Sequence, residues 1–361
     1  MSDFKPKILV INPGSTSTKV AVFEGEKCLF SQTIRHFIDD LVYYNSIIEQ
    51  YEFRKDIIMG TLELEQVDLS DIAIVMGRGG LTYPLKSGIY KVNDRMLTHV
   101  RKGVWGQHAS NLGPVLADAI AKEIEGAEAF IADPVVVDEL DPVARISGHP
   151  RFERRSIFHA LNQKAVARLY ARSVNKKYDE LNLIVVHMGG GVSVGMHSKG
   201  KVIDVNNALD GEGPFSPERS GTLPVGQLID ACYCGNFKRE EVRQMVVGEG
   251  GISAYLHTNN MMDVEKEAEA GNKEFAEVLD AFVYQVAKSV GEMAAVVDGD
   301  VDAIIFTGGI AHSKSITESI TKKVKFISQV VIRPGEDEME AMALNACLML
   351  KGELKVQEYP H

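Results

Sequence analysis

The chain has 361 residues, enough for two domains that each bury a core of their own. Its 50 acidic and 39 basic residues leave a formal net charge of −11, which argues against nucleic acid or an anionic membrane as a partner, since both need a basic face. Hydrophobic residues at 45% and charged residues at 25% are the mix of a soluble globular protein. The apolar runs are too short to span a bilayer and the first residues lack a signal-peptide pattern, so a cytoplasmic location is expected. Cys28, Cys232, Cys234 and Cys347 form neither a disulfide framework nor a zinc spacing and read as free thiols, buried or semi-buried, in a reducing compartment.

Residues 7–13 form an apolar run predicted as a strand. The segment Asn12-Pro-Gly-Ser-Thr-Ser-Thr-Lys19 turns it into a second strand carrying Val20 and Val22, and Gly25 turns that into a third. The first turn offers a glycine, a row of hydroxyls and a lysine, donors able to cradle a phosphate; a plain polar hairpin is the alternative. It is not a Walker A loop, because the G-x-x-x-x-G-K spacing is missing and a strand follows. Asn12 ends an apolar strand, a costly place for an amide without partners. Residues 71–80 (DIAIVMGRGG) read as a buried strand ending in glycines, with Arg78 among them. Residues 156–172, with Ile157, Leu161, Ala165 and Leu169 at i, i+4 spacing, predict a helix beginning at Ser156.

The next run repeats the first. Residues 181–207 again give an apolar strand, a glycine turn (His187-Met-Gly-Gly-Gly-Val-Ser193), an alternating strand with Val192 and Val194, and a second tight turn at Gly200. Gly14 and Gly189, and likewise Gly25 and Gly200, stand at one constant offset, which predicts equal strand lengths and equal turn positions. Three consecutive glycines carry no Cβ, so the backbone can approach a ligand closely. After an apolar-striped helix over 276–297, residues 302–309 (DAIIFTGG) echo the strand at 71–80. Thr307-Gly-Gly-Ile-Ala-His312 then offers backbone groups to a nucleoside, or serves only as a turn. A last helix, near 336–350, is predicted to return to the first domain. The boundary between the two copies falls between about 135 and 150, giving domains 1–145 (with 336–361) and 146–335.

The two glycine hairpins and Thr307-Gly-Gly-Ile together resemble the phosphate-1, phosphate-2 and adenosine motifs of the acetate and sugar kinase, chaperone and actin superfamily. N-P-G-S-T-S-T-K and H-M-G-G-G-V-S are similar to the two signatures of the acetate kinase family. Gly77-Arg-Gly-Gly-Leu81, Val104-Trp-Gly-Gln-His-Ala-Ser-Asn111, Gly148-His-Pro-Arg151 and Glu218-Arg-Ser-Gly221 are closer to the branch of that family acting on butyrate. The resemblance runs from about residue 7 to residue 350. It implies an α/β fold of two duplicated ribonuclease-H-like (actin-like ATPase) domains. Each would be a mixed five-stranded sheet flanked by helices, with the active site in the cleft between them. It implies a phosphotransferase with a carboxyl acceptor, ATP/ADP and Mg²⁺ as cofactors, and a homo-oligomer.

Carried over residue by residue, the resemblance makes Arg78, Arg219, His159, His108 and Asp133 the catalytic set. The nucleotide would be held by Asn12, Gly14, Ser15, Ser17, Lys19, His187, Gly189, Gly190, Gly191, Gly308, Gly309 and Ile310, and the metal by Glu338 and Asn12. Two departures stand out. Gly-Ile-Ala-His-Ser replaces the family's Gly-Ile-Gly-Glu-Asn, and the run Glu336-Asp337-Glu338 aligns in more than one register. Each side chain also has a structural reading: Arg78 in an ion pair, His108 packed beside Trp105, and Asp133 shaping the turn before Pro134.

The chemistry matches those residue types. A carboxylate with pKa near ~4–5 is already ionised and needs no general base. The obstacle is its repulsion from an anionic γ-phosphate, which arginine forks and a divalent cation offset. Chain length is read weakly: two methylenes at roughly 0.8 kcal/mol each separate butyrate from acetate by about fifteenfold. Branched C4 acids such as isobutyrate, and other short-chain acids, remain alternatives. A phosphatase or an ATP-driven conformational module of the same superfamily stands further off.

Overall fold

A computed structural model describes residues 6–360. In chain order the strands are β1 (Lys7–Pro13), β2 (Ser17–Glu24), β3 (Lys27–Arg35), β4 (Ile72–Arg78), β5 (Ile89–Lys91), β6 (Glu128–Ala132), β7 (Asn182–Met188), β8 (Val192–Ser198), β9 (Lys201–Val205), β10 (Ala303–Thr307), β11 (Val330–Ile332) and β12 (Val356–Gln357). The chain divides into two compact units, Met1–Val137 with Asp337–His361, and Asp138–Glu336.

In the first unit the sheet order is β12-β5-β6-β4-β1-β2-β3; in the second it is β11-β10-β7-β8-β9. β1–β2–β3 and β7–β8–β9 are antiparallel meanders, and β4 and β10 lie parallel to the first strand of each. β6 and β11 extend the parallel part in the same way. Five strands therefore share one order, and the first sheet adds β5 and β12 at its edge. Burial alternates along β3 at the outer edge of the first meander, whereas β4, β7 and β10, the strands at the middle of the sheets, are apolar almost throughout.

One sequence expectation is corrected. β1 and β7 start and end at the same offset, but Pro13 pairs with Thr18 whereas Met188 pairs with Val192, so the triple-glycine turn is one residue shorter. The shift is carried through the next two strands: each repeat has one bulge, at the equivalent place after the shift, between Val22 and Phe23 and between Met196 and His197. As a result Gly25 is the first residue of its turn and Gly200 the second.

The first unit's core gathers Leu9, Ile11, Val75 and Ile131 of the sheet with Ile58, Leu62, Leu112 and Leu116 of its helices. The helix Leu112–Ala121 lies against β4 at van der Waals limits: a Cβ on Gly113 would come 1.9 Å from the Arg78 carbonyl oxygen, and one on Gly77 would come 2.3 Å from that of Gly113. Only two glycines permit this approach, and it fixes the strand end that carries Arg78. The second unit packs Val186, Val194 and Phe306 against Phe282, Val286 and Val290 of the 23-residue helix Lys273–Ala295. Three of the four cysteines are exposed rather than semi-buried; all are free, and Cys347 is buried.

Candidate active site

In the first unit β1 ends in Asn12, buried among apolar neighbours, and its amide has partners on both sides. Nδ2 donates to Glu338 Oε2, and Oδ1 accepts from Arg78 Nη1 at 3.3 Å. Arg78, at the end of β4, grips the same carboxylate twice, Nη2 to Oε1 at 2.7 Å and Nη1 to Oε2 at 3.0 Å. Glu338 opens the helix Glu338–Leu350, which follows Asp337 in a left-handed conformation (φ 38°). Three of the residues singled out from the sequence thus form one cluster.

The β1–β2 turn closes through Gly14 N–H to the Ser17 carbonyl at 2.7 Å; Ser15 and Lys19 are exposed and Ser17 is half-buried. Beneath it lies a residue the sequence reading missed. Arg54 is fully buried and donates to the carbonyls of Gly14 (2.7 Å), Ser15 (2.8 Å) and Ser17 (3.1 Å), to Thr18 Oγ1 (3.1 Å) and to Gln50 Oε1. Burial lowers its pKa to about 10. His36 Nε2 meets Thr18 Oγ1 at 2.9 Å. Burial first, and the Arg54 charge second, lower the His36 pKa to about 4. The signal was present: Arg54 shares one helical stripe with Ile58 and Leu62, and a charge on an apolar stripe needs a reason.

His108 and Asp133 have local structural work. His108 is exposed and caps a short 3₁₀ turn, its Nδ1 accepting from Ser110 N–H at 3.2 Å. Asp133 is buried at φ 37° and accepts from Ser87 Oγ (2.6 Å) and Gly88 N–H (2.9 Å), tying the end of β6 to the turn before β5.

In the second unit the glycine turn closes through Gly189 N–H to the Gly191 carbonyl at 3.0 Å. A Cβ on Gly191 would lie 2.1 Å from Arg219 Nη1 and 3.4 Å from His159 Cε1, so the bare backbone makes room for both side chains. Arg219 donates one side-chain hydrogen bond, to the Ala208 carbonyl at 2.7 Å, and among the described residues it has no ion pair. Burial lowers its pKa, opposed by Glu218, and a guanidinium stays charged regardless. His159 does not sit inside a helix that begins at Ser156. The helix starts at Ala160 and His159 is its N-cap residue: Ser156–Phe158 lie outside any helix, with a bend at Phe158, and Ala208 N–H bonds the Ile157 carbonyl. The His159 ring stacks on that of His187, with centroids 3.8 Å apart.

Gly308, at φ 86°, presses onto the end of β7 before the triple-glycine turn: a Cβ there would come 2.3 Å from the Met188 carbonyl oxygen. Beside it opens a pocket of about 600 Å³ lined by Gly189, Gly190, Gly309, Ile310, Asn260 and Met261, with the carboxylates of Glu218, Glu265 and Glu336 around it. Its size, apolar floor and acceptors suit a nucleoside better than a free phosphate. The segment Asn259–Glu265 carried no sequence signal, since its place at the pocket depends on packing against the helix Lys273–Ala295 and on hydrogen bonds to Glu218 and Ser313.

The model of the acetokinase family matches residues 151–340. Butyrate kinase 2 of Clostridium acetobutylicum is 53% identical over 355 residues, 98% of this chain and 99% of that protein. A probable butyrate kinase of Clostridium botulinum is 51% identical over 353 residues, 98% and 99% of the two chains. Among solved structures, acetate kinase of Porphyromonas gingivalis superposes with a TM-score of 0.78 over 96% of this chain and 100% of that one, at 17% identity. A propionate kinase of Francisella tularensis gives 0.73 over 94% and 98%, at 19% identity. These structures share the fold of two duplicated α/β units described above. By the family match and by identity along nearly its whole length, the chain belongs to the acetokinase family.

Proposed function

We propose that this protein transfers the γ-phosphoryl group of ATP to butyrate, giving butyryl phosphate and ADP, reversibly and by direct in-line displacement. The observation that carries the reading is Arg219: a half-buried guanidinium with one side-chain hydrogen bond and no ion pair among the described residues, lying over a triple-glycine turn beside His159. Such a fork is an anion site by its chemistry. The names of the relatives at 53% and 51% identity support butyrate as the acid.

In this reading the glycine turns of both repeats receive phosphate oxygens on backbone N–H groups, and the pocket at Gly309–Ile310 takes the adenosine. Arg219 meets the developing charge on the phosphoryl oxygens, and His159 donates a hydrogen bond to them. Arg78 takes the acid's carboxylate in place of Glu338, whose own carboxylate already fits the same fork. Asp133 and His108 shape the backbone around these groups. Asn12 and Glu338 are the residues suited to hold Mg²⁺, one carboxylate and one amide oxygen being enough for a cation that keeps waters and phosphates. When bound it neutralises charge on the nucleotide.

We further infer a homo-oligomer working in the cytoplasm. None of the residues of the helix Val225–Tyr233 is buried, and Val225, Ile229 and Tyr233 stand exposed on it, which supports association through that surface. No helix among the described residues is long and apolar enough to cross a membrane.

The test mixes the protein with Mg-ATP, hydroxylamine and a panel of C2–C6 linear and branched acids. Hydroxamate peaking at linear C4 is the expected result. A peak at a branched acid would move the substrate, and ATP hydrolysis without hydroxamate would overturn the reading.

A further inference from the structure

Behind His159 runs a chain of buried polar side chains that the proposed reaction does not use directly. Tyr178 Oη lies 2.7 Å from His197 Nδ1; His197 Nε2 lies 2.9 Å from Gln163 Oε1; Gln163 Nε2 lies 2.7 Å from Ser193 Oγ; and Ser193 Oγ lies 2.9 Å from His159 Nδ1. Gln163, Ser193 and His197 are fully buried.

One contact fixes the direction of the links from Gln163 toward His197. Gln163 Nε2 also faces the Ser193 carbonyl at 3.0 Å. A carbonyl accepts only, so the amide end there must be NH₂, and the opposite end, Oε1, must accept from His197. His197 therefore carries its proton on Nε2 and accepts from the Tyr178 hydroxyl on Nδ1. Ser193 Oγ receives the Gln163 amide hydrogen on one lone pair and has its own hydrogen to offer His159 Nδ1. With that hydrogen donated, His159 Nδ1 is an acceptor, and the proton of the neutral ring sits on Nε2.

The neighbouring imidazole is locked the opposite way. Asn162 Nδ2 donates to the Glu336 carbonyl at 2.7 Å, so its Oδ1, 2.8 Å from His187 Nδ1, accepts, and His187 carries a proton on Nδ1. The stacked pair thus presents unlike edges.

We propose that Gln163 and Ser193, backed by His197 and Tyr178, are positioning residues that hold His159 in the Nε2–H tautomer, a neutral hydrogen-bond donor toward the phosphoryl group. This rests on the role given to His159 above. The strand itself is shaped for the relay: a Cβ on Gly195 would come 2.7 Å from Gln163 Oε1. The charged and titratable groups near His159 are Arg219 at the glycine turn, His187 stacked against it, and the carboxylates of Glu218 and Glu336 beside Gly190 and Gly189. Burial, with Lys164 and Arg168, keeps His197 neutral by lowering its pKa well below the usual value, as a relay that both donates and accepts requires.

The experiment is nitrogen-15 NMR of histidine-labelled protein without substrate, the His159 signals being assigned by their loss in His159→Gln. The expected wild-type spectrum has His159 protonated on Nε2 with Nδ1 as acceptor. Ser193→Ala, which deletes one oxygen, should populate the Nδ1–H form and lower kcat about 10²-fold, as loss of one oriented donor does, with KM for both substrates little changed. Gln163→Met should act in the same direction, and Ser193→Thr, which restores the hydroxyl, should recover the wild-type tautomer. A wild-type His159 protonated on Nδ1, or both variants keeping the wild-type tautomer and kcat, would overturn the proposal. Failure of the wild-type protein to form acyl phosphate would instead remove the functional reading, while the substrate-free spectra still decide the tautomer.

Discussion

Arg78 and Glu338 meet fork to fork, 260 positions apart in the chain, with both guanidinium Nη atoms on both carboxylate oxygens. The pair is partly buried, at 22% and 12% side-chain exposure. Removing one member therefore leaves the other charged, poorly solvated and held only by Asn12. Arg78→Met should cost about 2 kcal/mol of stability, between an exposed pair and a fully buried one. The double variant Arg78→Met with Glu338→Gln should be more stable than Arg78→Met alone. Urea denaturation of the four proteins checks this, and a double variant less stable than Arg78→Met would show that Glu338 is held by something else.

Arg219 predicts the reverse combination. With one hydrogen bond and no ion pair, Arg219→Ala should leave stability within about 1 kcal/mol of wild type. Turnover should fall by about 10³–10⁵, the range for an arginine that stabilises phosphoryl transfer. Gly191→Ala should mimic it, since the added methyl takes the space of Arg219 Nη1. Acyl hydroxamate formation, measured beside melting temperature, separates the two effects; unchanged turnover in Arg219→Ala would remove it from the mechanism.

Arg54 carries no substrate contact in this reading, yet its loss should be severe. Arg54→Met would strip donors from three carbonyls of the β1–β2 turn and from Thr18, around a buried side chain. A loss of at least about 3 kcal/mol follows from several hydrogen bonds made by one charged donor. Arg54→Lys should recover little, because a point ammonium cannot span the fork's partners. Chemical denaturation of both variants measures it, and a small effect would mean that the turn holds its shape without this support.

His36 makes stability depend on pH. Its folded pKa is about 4, lowered by burial and then by Arg54, against about 6.5 for an unfolded histidine. Between those values the unfolded chain binds a proton that the folded chain refuses, so stability falls as pH drops from about 6.5 to about 4, by at most about 3 kcal/mol. The unpartnered Nδ1 of this ring makes the site tolerant of substitution. His36→Gln should lose this part of the acid sensitivity, seen as a flatter curve of unfolding free energy against pH than wild type. Identical curves would place the acid sensitivity elsewhere.

Much of this molecule is written locally. The two meanders follow from alternating residues around tight turns, and the glycine turns mark themselves by what they lack. Asn12 announced a partner simply by ending an apolar strand, and the structure supplies Glu338 and Arg78. The long helix over Lys273–Ala295 follows from its apolar stripe. The beginning of the helix after His159 was misread, since the non-helical stretch at Ser156–Phe158 is held by a bond to Ala208, invisible in the local pattern.

The sequence by itself determined the duplicated strand order, the family, and which residue types gather at the turns, because each rests on periodicity or on short motifs. Only the tertiary structure decided that Arg54 underpins the β1–β2 turn, that Glu338 occupies the Arg78 fork, and that Arg219 lies over Gly191 with no ion pair among the described residues. It alone brought the polar side chains behind His159 into hydrogen-bond contact. The physical reason is common to all four: a buried polar group takes its meaning from partners tens to hundreds of residues away. The cost of leaving it unpaired shows only when the chain has brought those partners together.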